Sequence, residues 1–129
     1  MIVVIVCGGR DWRPDRAVAA RAERWLALWL WRLDVGAVVH GDAQGADRWA
    51  ADLVRRRWPS IIVRPVPVTR IEWQRYRKAA GPIRNASMIQ VARGLGDLAA
   101  VLSLPGGSGT ADMCSRAEAV GVPVFRFSL

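Results

Sequence analysis

Five short apolar runs divide the chain, and between them apolar residues recur every three or four positions. Ile2 to Val6 is continuously aliphatic, which predicts a strand covered on both faces. From about Asp15 to Leu33, residues Val18, Ala22, Trp25, Leu26, Trp29 and Leu33 fall at helical spacing. Ala37 to Gly41 reads as a second strand, and "GADRWAADLVRRRW" as a second helix with Ala46, Trp49, Ala50, Leu53 and Val54 on one side. The third strand, "IIVRPVPV", carries Pro65 and Pro67, which suit a sheet edge or a strand end. Thr69 and Glu72 have capping-box spacing and start a short helix. Gly81 and Pro82 punctuate, and a further helix runs from Pro82 to Arg93 with proline in its first turn. "LAAVLSLP" is a fourth strand, Gly109 to Val120 a helix, and "VPVFRF" the last strand. Strands that alternate with helices predict an α/β domain, a mainly parallel sheet covered on both faces, spanning residues 1–129 as one unit.

Composition narrows the class. With 52% hydrophobic and 23% charged residues the chain is globular. No apolar run approaches the roughly 20 residues of a membrane helix, so no membrane partner is expected. "MIVVIVCGG" lacks a basic lead segment and reads as a buried strand rather than a signal peptide. Cys7 and Cys114 have neither framework nor metal spacing, so reduced thiols in a cytoplasmic protein are expected. His40, the one histidine, cannot build a metal site alone; neither metal nor cofactor is expected. Net charge is +8, nearly all of the positive charge being arginine, and Lys78 is the sole lysine. That balance favours anionic partners such as nucleotides or nucleic acid.

In a parallel sheet, ligands sit beyond the carboxyl ends of the strands. Gly8 and Gly9 follow the first strand, Gly41 the second, and "PGGSGT" (Pro105, Gly106, Gly107, Ser108, Gly109 and Thr110) the fourth. Three glycine turns are therefore expected on one rim. Glycine lets an anion reach backbone N–H groups, and a helix opening near Gly109 adds unpaired amides and a positive dipole end. Ser108 and Thr110 offer hydroxyls, so the turn has the chemistry of a phosphate cradle. Around the rim lie Arg10 and Asp11, then Asp42, Gln44 and Asp47, then Arg84 and Asn85. Asp47 reads equally as a ligand contact or as a carboxylate on first-turn amides, and Asp42 equally as a turn residue. Arg84, placed in a first helical turn, opposes the dipole, which argues for a functional role.

Four ordered motifs, "VCGGRDW", "VVHGDAQGADRWAADLV", "EWQRYRKAAGPIRNASMI" and "LSLPGGSGTADMCSRAEAVGVPVF", resemble the SLOG superfamily of Rossmann-like nucleotide binders, and among these the YspA-like branch. The resemblance runs from Ile2 to Phe125. It implies a five-stranded Rossmann-like sheet with "PGGSGT" as the phosphate-binding loop. The superfamily includes the Lonely-guy phosphoribohydrolases, whose pattern PGGxGTxxE places a glutamate where this chain has Met113. Arg84 matches the arginine of their upstream motif, and Asn85 stands where a lysine would be. Cleaving a glycosidic bond needs a carboxylate, and methionine supplies none. Asp112 is turned about 100° around the helix, so Asp11, Asp42 or Asp47, from other loops, are the alternative carboxylates.

Trp25, Trp29, Trp49 and Trp58 fit helical faces and read as core or interface. Trp12 and Trp73 lie in or beside rim loops, and Trp73, among Arg75, Tyr76, Arg77 and Lys78, could stack on a base or simply cover the fold. The first helix also carries Leu28, Leu30 and Trp31, more apolar surface than one stripe buries, which predicts a homo-oligomer, a dimer first. The sequence thus predicts a binder of a nucleotide-like small molecule, a sensor or an N-glycosidic hydrolase. A nucleic-acid-binding module in the manner of DprA is the alternative.

Overall fold

A computed structural model describes residues 1–129. Its strands are β1 (Ile2–Cys7), β2 (Val35–His40), β3 (Ile62–Pro65), β4 (Asp97–Ser103) and β5 (Val124–Arg126). The helices are α1 (Arg16–Arg32), α2 (Ala46–Arg57), α3 (Arg70–Tyr76), α4 (Ala80–Leu95) and α5 (Ser108–Ala119), with a 3-10 turn at Arg77–Ala79. All strand pairs are parallel, in the order β3-β2-β1-β4-β5. The fold is α/β, a doubly wound, Rossmann-like sheet.

The aliphatic run of β1 is central because it is apolar on both sides. Val3, Ile5 and Cys7 join Met88, Ile89, Ala92, Met113, Cys114 and Ala117 of α4 and α5. Val4 and Val6 join Leu26, Leu30, Ala50, Leu53 and Val54 of α1 and α2. Burying one such aliphatic side chain stabilises the fold by about 1.5–3 kcal/mol. β3, with its prolines, is an edge strand that ends at Pro65, as its composition predicts.

Local signals set the helix ends. Asp15 caps α1, accepting from the Val18 N–H at 2.9 Å. Thr69 and Glu72 close the expected capping box on α3. Several ends shift by one to three residues from the sequence reading, and one shift matters for the site. The helix expected from Pro82 begins at Ala80, so Gly81 lies inside it rather than punctuating. Pro82 is third in that helix, where its missing N–H has no intrahelical acceptor to lose. Arg84 consequently sits in the second turn of α4, not the first, and the dipole argument for it weakens.

From β1 the chain moves outward to β2 and β3, then crosses back to β4 and β5. The reversal falls between β1 and β4, and a cleft opens there beyond the carboxyl ends of the strands. No helix is long and apolar enough to cross a membrane.

Candidate functional site: an uncapped helix terminus at the switch point

The cleft holds about 820 Å³. The turn after β1 (Gly8 to Asp11) and the turn after β4 (Gly106 to Thr110) form two of its walls, and α4 supplies a third through Arg84, Asn85 and Met88. Trp73 and Lys78 stand at its mouth.

The two glycine turns are stitched together. Gly9 N–H donates to Pro105 C=O at 2.8 Å, and Gly9 C=O accepts from Ala46 N–H at 3.0 Å. A β-carbon at Gly9 would fall 3.0 Å from Gly106 Cα, and one at Gly106 would fall 2.7 Å from Gly9 N. One at Gly8 would lie 2.9 Å from Leu104 Cβ. These positions are glycine because chain packs on chain. Gly107 and Gly109 differ, since a β-carbon at either meets nothing within 4 Å. Within the two glycine turns, the bare backbone that an approaching anion would require is therefore confined to these two residues; Gly81 of α4, also at the cleft, is open as well. No side chain caps α5, and the first-turn N–H groups of Ser108, Gly109 and Thr110 have no intrahelical acceptor. The first in-helix bond is Ala111 N–H to Gly107 C=O, 3.0 Å.

Asp47 does not sit on the first-turn amides of its own helix, one of its two sequence readings. It lies in the first turn of α2 and is buried. Its Oδ2 accepts from the Gly41 N–H at 3.1 Å and the Ala43 N–H at 3.3 Å, amides of the preceding loop rather than of its own helix. Burial pushes its carboxyl up to about 6, although the two amides and the neighbouring Arg84 pull the other way. Arg84 donates through one guanidinium nitrogen to Gly41 C=O at 2.5 Å and through Nε to Asn85 Oδ1 at 3.1 Å. A β-carbon on Gly41 would fall 2.5 Å from the first of these nitrogens and 2.9 Å from Asp47 Oδ2. Gly41 is a glycine because it seats this arginine and this aspartate on its two peptide faces. It does not line the cleft, and neither do Asp42 and Pro105.

Asp42 is a turn residue, with φ of 55° and an ion pair to Arg48 at 3.5 Å. Its N–H donates to Nδ1 of the buried His40 at 3.0 Å, and burial holds that imidazole neutral. Asn85 lines the cleft but is 4% exposed and fully engaged. Its Nδ2 donates to Gly109 C=O at 3.1 Å and to Asp112 Oδ2 at 3.0 Å, so it ties α4 to the first turn of α5.

Met113 is buried in the core beneath the cleft, whereas Asp112 presents its carboxylate to the cleft wall. Burial alone would raise Asp112, but the Asn85 amide and the Arg116 guanidinium, 2.8 Å away, outweigh it and hold the carboxyl low. Asp11 also lines the cleft and is exposed. Of the predicted residues, Gly8, Gly9, Arg10, Asp11, Asp47, Arg84, Asn85, Gly106, Gly107, Ser108, Gly109 and Thr110 are gathered there. The sequence reading names Lys78 only as a neighbour of Trp73 and sets Asp112 aside, and both line the cleft. Lys78 as the lone lysine, and the spacing of Asp112 to Arg116, were the available signals.

Trp12 is not at the cleft. It packs edge-on against Trp49 and Phe127, in a small cluster behind the rim. Trp73 does face the cleft, with the Arg10 guanidinium 5.8 Å from its ring centroid, a distance at which a cation and an aromatic face attract.

Fold and site together define a doubly wound α/β domain with an uncapped helix N-terminus facing its switch-point cleft. No protein-family model matches the chain. It is 33% identical to the Gene 61 protein of Mycobacterium phage D29 over 129 aligned residues, covering 96% of this chain and 94% of that protein. The chain belongs to the family of that phage protein.

Proposed function

We propose that the chain binds a nucleotide or nucleotide-derived small molecule in the switch-point cleft, with phosphate on the Gly106–Thr110 turn. One observation carries this reading. α5 begins with free amides over two glycines that nothing crowds, and no protein side chain caps it. A helix N-terminus of this kind attracts an anion through oriented N–H groups and the dipole together. Arg84, Arg10 and Lys78 add positive charge to the same cleft, and Trp73 offers an aromatic face at the opening. The resemblance to the SLOG superfamily points the same way.

Whether the ligand is only held or also cleaved turns on the carboxylates. A glycosidic bond is hydrolysed where one carboxyl donates a proton and another, ionised, supports the developing cation or activates water. Met113 takes no part in that chemistry. Asp47, whose proton is retained by burial up to about pH 6, and Asp112, held ionised, are the two carboxyls of the cleft with opposed environments.

The test is thermal. AMP, ADP-ribose and NAD are titrated against the protein, and the true ligand at 100-fold excess over its Kd stabilises the fold by about 2.7 kcal/mol, several degrees in Tm. Gly107→Asp places a carboxylate at the amides and abolishes the shift. A mutant that still responds overturns the phosphate assignment. Release of free base from AMP, followed by chromatography, separates hydrolase from sensor.

The second reading, binding of single-stranded nucleic acid, rests on α3 and the turn after it. Arg70, Arg75, Arg77 and Lys78 surround Trp73 and Tyr76 there, and α3 buries no residue. Such binding weakens steeply with salt because counterions are released. An oligonucleotide affinity that vanishes at physiological salt removes this reading.

The exposed Leu28 and Trp31 on α1 support a homodimer. Sedimentation of wild type against Trp31→Glu tests it, and a monomeric wild type refutes it.

A further inference from the structure

The two cysteines are remote in sequence and adjacent in space. Cys7 ends β1 and pairs in register with Ser103 of β4. Cys114 lies in the second turn of α5, facing the sheet, and both thiols belong to the same buried cluster. Each thiol weighs on the other's titration, and Ser103, beside Cys7 in the sheet, weighs on both. They are free thiols.

Their surroundings differ in a way that matters for reactivity. Cys7 lies at the floor of the switch-point cleft. Cys114 lines a second cavity of about 320 Å³ on the other side of the glycine turn, together with Ser115, Arg126 and Phe127. Gly106, Gly107 and Thr110 belong to both cavities, so the thiol pair sits beneath the wall dividing them. A buried cysteine in purely apolar surroundings is inert, and reactivity needs an accessible thiolate beside positive charge. Cys114 is 4% exposed and meets the second cavity beside Arg126, whose guanidinium is ion-paired to Glu118 at 2.8 Å. The Cys7 thiol, Ser103 and Arg126 pull Cys114 below the ordinary thiol range against the opposing effects of burial and of the Glu118 carboxylate. Its partnership with Cys114 and its burial push Cys7 well above that range, so Cys7 keeps its proton.

We propose that Cys114 is a peroxide-reactive thiol and Cys7 its resolving partner, the two closing to a disulfide when a small hydroperoxide enters the cavity beside Arg126. In the first step the Cys114 sulfur attacks one peroxide oxygen. The O–O bond breaks, an S–O bond forms, and hydroxide leaves to take up a proton as water. In the second step the Cys7 sulfur attacks the sulfenic sulfur. The S–O bond breaks, the hydroxyl departs with the Cys7 proton as a second water, and the S–S bond remains. Two thiols are oxidised by two electrons, and one peroxide is reduced to two waters. The bond joins the residue before Gly8–Gly9 to the helix that starts at Gly107, so oxidation acts on the shared wall of both cavities. The chemistry stands whatever the cleft binds.

The experiment treats intact protein with equimolar hydrogen peroxide, quenches, alkylates under denaturing conditions and maps peptides by mass spectrometry. The expected product is a Cys7–Cys114 cross-linked peptide with neither cysteine alkylated. In Cys7→Ser the resolving thiol is missing, so Cys114 accumulates as sulfenic acid and takes up dimedone about tenfold more than Cys7 does in Cys114→Ser. Two results overturn the proposal: both wild-type cysteines alkylating fully after peroxide, or equal dimedone labelling of the two variants. The wild-type arm needs no variant to fold. A urea-unfolded sample forming the disulfide as fast as the native protein also overturns it, because the reactivity would then owe nothing to the fold.

Discussion

Two turns of this molecule look alike in sequence and do opposite things. After β2, "GDAQGAD" leads into α2; after β4, "PGGSGTAD" leads into α5. No side chain caps α2 either, but there the chain packs on the helix start. The Ala46 N–H is taken by Gly9 C=O, and Asp47 turns back to the Gly41 and Ala43 amides. Gly45, at φ of 82°, packs 2.5 Å from the Arg10 carbonyl oxygen at its missing β-carbon. At α5, equally without a side-chain cap, nothing crowds Gly107 or Gly109. Glycine serves close packing in one turn and ligand access in the other. A glycine-rich turn therefore says little until the space at the missing β-carbon is known.

The largest expected effect lies on the packed side. Gly45→Ala must adopt a left-handed backbone and press on two carbonyls, so it destabilises the fold by about 3 kcal/mol or more. Urea denaturation measures this, and a loss below about 1 kcal/mol would contradict the packing account. Gly109→Ala, the matched change on the open side, should fall within about 0.5 kcal/mol of wild type.

Next comes the buried carboxylate. The folded-state value for Asp47 is about 6, above the ordinary 3.8, so between roughly pH 4 and 6 the folded chain binds more protons than the unfolded one. The stability this site supplies is complete below pH 4 and is lost as pH rises through 6. It amounts to about 3 kcal/mol by linkage. Asp47→Asn keeps an acceptor for both amides and removes the titration. Wild-type stability minus mutant stability should accordingly fall across that window, and a flat difference in pH-dependent denaturation rejects the assignment.

A smaller loss is expected at the tie between α4 and α5. Asn85→Ala removes the acceptor of Arg84 Nε and a donor to Asp112 and should cost about 2 kcal/mol. It should also loosen the first turn of α5, which hydrogen exchange would register at Ala111 and Asp112. Unchanged exchange would mean that Asn85 only fills space.

The smallest effect on stability, at the site that matters most for binding, is Gly107→Asp. Gly107 is the N-cap of α5 with an open flank, and aspartate there should stabilise the free protein by a few tenths of a kcal/mol. A variant that is destabilised would show that Gly107 belongs with the packed glycines.

Much of the fold was legible because its signals are local. The unbroken apolar run of β1, the Thr69–Glu72 box and the prolines of the third strand each declare themselves within a few residues, and each stands in the fold as expected. The start of α4 was misread because Gly81 is a breaker in propensity alone, and packing at the buried Ala80 overrides it. Trp12 looked like a rim aromatic because it lies five residues past β1, and only the approach of Trp49 and Phe127 makes it core.

What the sequence determined by itself was the alternation of elements, the position of the turns and the uncapped start of α5, since these depend on neighbours along the chain. Which glycine faces space and which faces backbone, where Asp47 turns, how Asn85 is consumed and that Cys7 meets Cys114 were decided by tertiary structure alone. The glycine environments and the cysteine pair depend on segments that meet where the strand order reverses between β1 and β4, whereas Asp47 is placed within the turn into α2 and Asn85 between α4 and α5. Residue type states what a side chain can do, and packing settles which partner it does it with.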